Sequence, residues 1–167
     1  MATSLARSVR ICALLLALAG PGLGCSGGGL PFHETADTKQ LMTSVIEPAA
    51  EVYWDSVGII MDIDEGTREI QPRTEEEWTA VRDAALLVAE SGNLLLLPGR
   101  LRGDGPWVDL VAEFSKAGRA ALAAAQARDA TAVFDAGGEL YLACSRCHEA
   151  FAPDSLRPNF DRGVIRD

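Results

Sequence analysis

Residues 106–151, PWVDLVAEFSKAGRAALAAAQARDATAVFDAGGELYLACSRCHEAF, decide the fold. In the first half, Trp107, Leu110, Val111, Phe114, Ala117, Ala121, Leu122 and Ala125 fall three and four positions apart, the spacing that lines one face of an α-helix. Asp129, a helix-capping residue type, separates this stripe from a second one that carries Phe134, Leu140, Tyr141, Cys144 and Cys147. The stretch predicts two amphipathic helices in succession, the second ending near Pro153.

The same periodicity recurs upstream. Thr74-Glu75-Glu76-Glu77 forms a capping box with acids in the first turn, where the helix dipole favours negative charge. That helix is expected to run through Val81, Ala85 and Leu86 into the Leu94-to-Leu97 run and to stop at Pro98-Gly99. From Asp37 to about Met61, the residues Leu41, Met42, Val45, Ile46, Ala49, Val52, Tyr53 and Val57 line a first helix, which Asp37 and Gln40 cap. Pro48 cannot donate to the Ser44 carbonyl, so a bend is expected there. Asp62 to Arg73, acidic and interrupted by Gly66 and Pro72, reads as a loop, and Gly103 to Pro106 mark another turn. Four helices of about twenty residues, each about 30 Å long at 1.5 Å per residue, predict an all-α fold, an antiparallel up-down-up-down four-helix bundle. It is expected over residues 37–152, with a tail at 153–167.

Composition agrees with one helical domain. The chain has 167 residues, 48% hydrophobic but only 6% aromatic, which favours alanine- and leucine-rich helices over a large sheet. It carries 15 basic against 24 acidic residues with no basic cluster, so nucleic acid is excluded as an expected partner. Residues 1–24 read as an export signal: Arg7 and Arg10 precede or flank an apolar run, Ile11 to Ala19, too short to span a bilayer. Cleavage fits after Ala19 or before Cys25, which Ser26-Gly27-Gly28-Gly29 follows. The second reading resembles a bacterial lipoprotein, with Cys25 lipidated as a membrane tether and residues 25–36 a flexible linker. Either reading places the chain outside the cytoplasm, in the periplasm or anchored to a membrane facing it. Without residues 1–24 the balance is 13 basic against 24 acidic, a net −11 that favours basic partner surfaces. Only Cys144 and Cys147 then remain in the folded part, and a disulfide framework is excluded.

Those two thiols belong to Cys144-Ser145-Arg146-Cys147-His148, the C-x-x-C-H pattern of covalent c-type haem attachment. Two thiols three residues apart on one helical face can each add to a haem vinyl group, and the next histidine can bind the iron. A thioredoxin-like dithiol would instead sit near a helix start beside a βαβ unit, and a zinc site would have only His33 to complete it. No Ser-His-Asp set, phosphate loop or paired catalytic acid accompanies the motif, so an electron carrier rather than an enzyme is expected.

With C-x-x-C-H near the end of the last helix of an exported helical chain, the sequence resembles the cytochrome c prime family, including its low-spin methionine-ligated relatives. Glu149-Ala150-Phe151 extends the likeness through an aromatic three residues after the histidine, while Ala152 stands where relatives often carry a basic residue. The resemblance implies one covalent haem c, and partners that are periplasmic or membrane redox proteins, with a second copy of the chain as a further candidate.

His148 is the expected proximal iron ligand, and Tyr141 and Phe151 are expected against the haem. In an up-down-up-down bundle the start of the first helix lies beside the end of the fourth, which places Met42 at the His148 end and Met61 at the other. Met42 is therefore the expected distal ligand, with core packing as its alternative role, and the low-spin relatives agree. His33, in the linker, is the rival donor. If neither binds, the iron is five-coordinate, Leu41 and Val45 flank an apolar pocket, and binding of NO or CO replaces electron transfer as the expected function. A mainly structural haem is the third reading.

Overall fold

The computed structural model describes residues 32–103 and 105–156. Helix α1 opens as Thr38–Leu41, passes through a π segment at Met42–Ile46 and continues as Glu47–Trp54. A hairpin of β1 (Gly58–Asp62) and β2 (Gly66–Ile70) follows. Then come α2 (Glu75–Leu95), a 3-10 turn at Pro98–Arg100, α3 (Pro106–Ala127), α4 (Ala130–Phe151) and a last 3-10 turn at Pro153–Leu156. The described chain is thus mostly helical, with four helices and one small antiparallel sheet. The export signal and Cys25 lie outside the described residues.

Local chemistry sets the helix starts. The Asp37 carboxylate accepts from the Gln40 N–H at 2.7 Å, and the Gln40 side chain accepts from the Asp37 N–H at 3.0 Å. Thr74 and Glu77 make the same reciprocal pair, at 3.2 and 3.0 Å. Asp129 accepts from the Ala132 N–H at 3.0 Å, and Pro106, with no N–H to leave unpaired, occupies the first turn of α3.

One expectation for the first helix needs correction. Helix α1 ends at Trp54 rather than near Met61, and residues expected as helix end and loop form the hairpin. Gly58 weakens helix propagation, Ile59 and Ile60 favour a pleated strand, and Asp62 and Gly66 build the turn. The Asp62 carboxylate accepts from the N–H groups of Asp64 and Glu65 at 2.8 and 2.9 Å, and Gly66 takes φ +79°, where a side chain would be strained. Just before Pro48, where a bend is expected, the helix is irregular: the Glu47 N–H reaches back five residues to the Met42 carbonyl, a π pattern in the segment that holds Ser44.

Long-range bonds report how the helices run. Arg128, after the end of α3, pairs with Glu75 at the start of α2, and Arg146 late in α4 pairs with Glu113 early in α3 at 3.0 Å. Each of these helix pairs therefore runs antiparallel. The buried Tyr53 hydroxyl, at the end of α1, donates to the Ala121 carbonyl in the second half of α3 at 3.2 Å. Trp54 donates through Nε1 to the Gly137 carbonyl, in the first half of α4, at 2.9 Å.

Apolar burial divides into two clusters. Tyr53, Val81, Ala85, Ala121, Ala125 and Val133 form one, and Leu41, Ile46, Val88, Leu95, Trp107, Val111, Phe114 and Leu140 form the other. Between α2 and α3 the backbones nearly touch, since a Cβ placed on Gly118 would meet the Ala89 Cα at 2.8 Å. The buried Arg100 guanidinium donates to the Leu94 carbonyl at 2.9 Å and twice to the Ala36 carbonyl, at 2.8 and 3.1 Å. Glu34 accepts from the Gly99 N–H at 2.7 Å. These bonds pin the last residues of the expected linker, Glu34 to Ala36, and with them the entry to α1.

Candidate functional site

Helix α4 places Cys144 and His148 four residues apart, one turn above the other, with Cys147 between them in sequence. Cys147 is buried, while Cys144 and His148 are half-buried. All three line one cavity of about 650 Å³, within the range of small-molecule and cofactor sites. The other lining residues from α4 are Tyr141, Ser145 and Phe151. Helix α1 contributes Thr38, Lys39, Met42, Thr43, Ile46, Glu47, Ala50 and Trp54, and α3 contributes Trp107, Val111 and Phe114. Leu95, Arg102 and residues 152–156 complete the lining.

The wall from α1 is one helical stripe, Met42, Ile46, Ala50 and Trp54, each four residues from the last. Met42 is half-buried in that stripe and shares the cavity with His148. Leu41 and Val45, expected as flanking residues, belong to the adjacent stripe and do not line the cavity. Leu41 is buried in the core, and Val45 packs against it. A step of about 100° per residue separates the two stripes and explains the difference.

Aromatic contacts brace the cavity at both ends. Tyr141 is 60% exposed and meets Trp54 edge to face, with ring centres 6.1 Å apart. Phe151 meets Trp107 in the same manner at 4.9 Å. Trp107 is itself fixed by donation from Nε1 to the Leu95 carbonyl at 3.1 Å, at the C-terminal end of α2. His33 is exposed and absent from the lining, and Met61 lies on β1, 81% exposed.

Burial pushes the Cys144 thiol up to about 11, with the neighbouring Cys147 sulfur adding to the shift. It raises the Cys147 thiol as well. Both sulfurs therefore stay protonated near neutral pH, which disfavours thiolate chemistry such as dithiol exchange. A thioether carries no charge and loses nothing by the same burial, so these two positions are compatible with thioether bonds. Among the described residues, no group of three or more His, Cys, Asp or Glu is arranged to hold a metal ion. The iron of a porphyrin needs only axial donors, and His148 and Met42 are of the right type.

Sequence reading did not single out Ile46, Trp54, Trp107, Val111, Phe114 or Arg102 for this site. The four-residue recurrence from Met42 to Trp54 was a usable signal for the α1 wall. For α3 there was none, because a stripe that faces a cavity reads like one that faces the core. Comparison of the chain with protein-family models, with curated proteins and with solved structures returned no match.

Proposed function

We propose that the chain is an exported monohaem c-type cytochrome that carries single electrons, built as an antiparallel up-down-up-down four-helix bundle. The observation that carries the reading is the shared cavity of Cys144, Cys147, His148 and Met42. Cys144 and Cys147 would hold the porphyrin, His148 would be the proximal ligand and Met42 the distal one. When bound, the haem supplies a one-electron iron couple whose potential depends on its axial ligands, burial and surroundings. The chain's own residues bind and orient it: the α1 stripe and the α3 aromatics exclude water, and Lys39 and Arg102 offer positive charge suited to carboxylate substituents. Met42 is the one thioether among the described lining residues, so methionine ligation rests on it alone.

The bundle topology has its own support. The end of α1 is bonded to the first half of α4 through Trp54 and the Gly137 carbonyl, and the α2–α3 and α3–α4 ion pairs join opposite ends. The acidic chain suits redox partners with basic faces, in the periplasm or at its membrane.

Mass spectrometry of the exported protein tests attachment and processing together. We expect the mass of one haem added at the Cys144–Cys147 peptide, while the N-terminal fragment reports whether Cys25 is acylated. Optical spectra test the ligand set, with a methionine charge-transfer band expected in the ferric protein and lost in Met42→Ala. A high-spin ferric spectrum that Met42→Ala leaves unchanged, with NO binding at an open position, would replace electron transfer by gas binding. Colourless protein with both sulfurs still alkylatable would end the haem reading altogether.

A further inference from the structure

Between α1 and α2 the chain inserts a hairpin with no counterpart in the helical scheme. Every residue of β1 and β2 is exposed except Gly58, which is half-buried, but the two faces differ: Ile60 and Ile70 on one are 39% and 37% exposed, while the Ile59 and Met61 face is open. Among the described residues the sheet has only these two strands, which leaves an unpaired edge on each. An isolated two-stranded ribbon is marginal in water, and exposed strand edges are normally blunted by charge, proline or a bulge.

The two edges differ in how they are protected. The strand β2, Gly-Thr-Arg-Glu-Ile, carries Arg68 and Glu69. The strand β1, Gly-Ile-Ile-Met-Asp, is uncharged from Gly58 through Met61, and Ile59 and Met61 on one face are 59% and 81% exposed. Self-pairing separates the strands further. Two β1 strands set antiparallel about Ile60 place Ile59 opposite Met61, Ile60 opposite Ile60 and Gly58 opposite Asp62, with no like charges facing. Two β2 strands set the same way about Arg68 would oppose two guanidiniums, a destabilising pair.

We propose that the free edge of β1 is a homodimer interface, where β1 of a second copy adds antiparallel about Ile60. The product is a four-stranded sheet, long enough to be independently stable, in which Ile59 and Met61 of both copies form one apolar cluster. Asp62, Asp64 and Glu65 at the hairpin tip make an anionic membrane surface a poor alternative occupant. The inference stands apart from the haem reading.

Sedimentation velocity of the exported full chain, with or without haem, tests it. We expect twice the single-chain mass, halved in Ile60→Lys because two ammonium groups would then face each other, with helical circular dichroism unchanged. Ile60→Cys is expected to form a disulfide-linked dimer under oxidation, and Arg68→Cys is not. A single-chain mass for the unsubstituted protein would overturn the proposal. So would a dimer that Ile60→Lys leaves intact, or binding of monomers to phosphatidylcholine vesicles that Ile60→Lys abolishes.

Discussion

Gly137 and Gly138 are adjacent in α4, yet their surroundings differ completely. A Cβ on Gly137 would stand 3.2 Å from the Trp54 ring, whose Nε1–H is bonded to the Gly137 carbonyl, so the glycine lets α1 and the cavity wall approach α4. A Cβ on Gly138 would meet nothing within 4 Å. Gly138→Ala is therefore expected to stabilise the fold by about 0.5–1 kcal/mol, the usual helix-interior difference, in urea denaturation. Tyr53 makes the opposite case. Tyr53 is fully buried, burial raises its hydroxyl above the usual phenol value, and the hydroxyl donates to Ala121, so Tyr53→Phe is expected to cost about 0.5–1.5 kcal/mol by the same measurement.

At the scale of elements, the contact between α2 and α3 is set by backbone rather than by side-chain tips. Gly118→Ala would push a methyl group against the Ala89 Cα, so the helices must separate. We expect a loss of about 1–3 kcal/mol, the range for overpacking, read as a lower urea midpoint. Element boundaries also respond to pH. Glu77, which accepts the N–H groups of Arg73 and Thr74, lies below the usual carboxylate range, and so does Asp62, which accepts those of Glu65 and Asp64. Their stabilising effect is complete above the unfolded carboxylate pKa and is lost as pH falls through the lower folded value. The thermal midpoint is expected to fall on acidification through that window, and less steeply in Glu77→Gln.

Over the whole molecule, what could be read in advance was what short stretches of chain decide. The caps at Asp37, Thr74 and Asp129, the stops at Pro98 and near Pro153, and the apolar stripes all follow from local hydrogen bonding and helical periodicity. The end of α1 was misread because Val57 continues the helical spacing, while Gly58 and the paired isoleucines begin a strand whose partner lies beyond a turn. A strand's stability comes from that partner, so its signal is not contained in the strand itself.

The sequence by itself determined four helices, the capped starts of three of them and the single Cys144–Cys147–His148 cluster, because each depends on residues within one or two helical turns. Only the tertiary structure decided that Trp54, Trp107 and Phe114 wall one cavity with Met42 and His148, that Leu41 and Val45 turn away from it, and that Arg100 anchors the chain before α1. The physical reason is the same in each case. Periodicity specifies that a helix has an apolar face, but what that face meets is set by packing against segments distant in sequence.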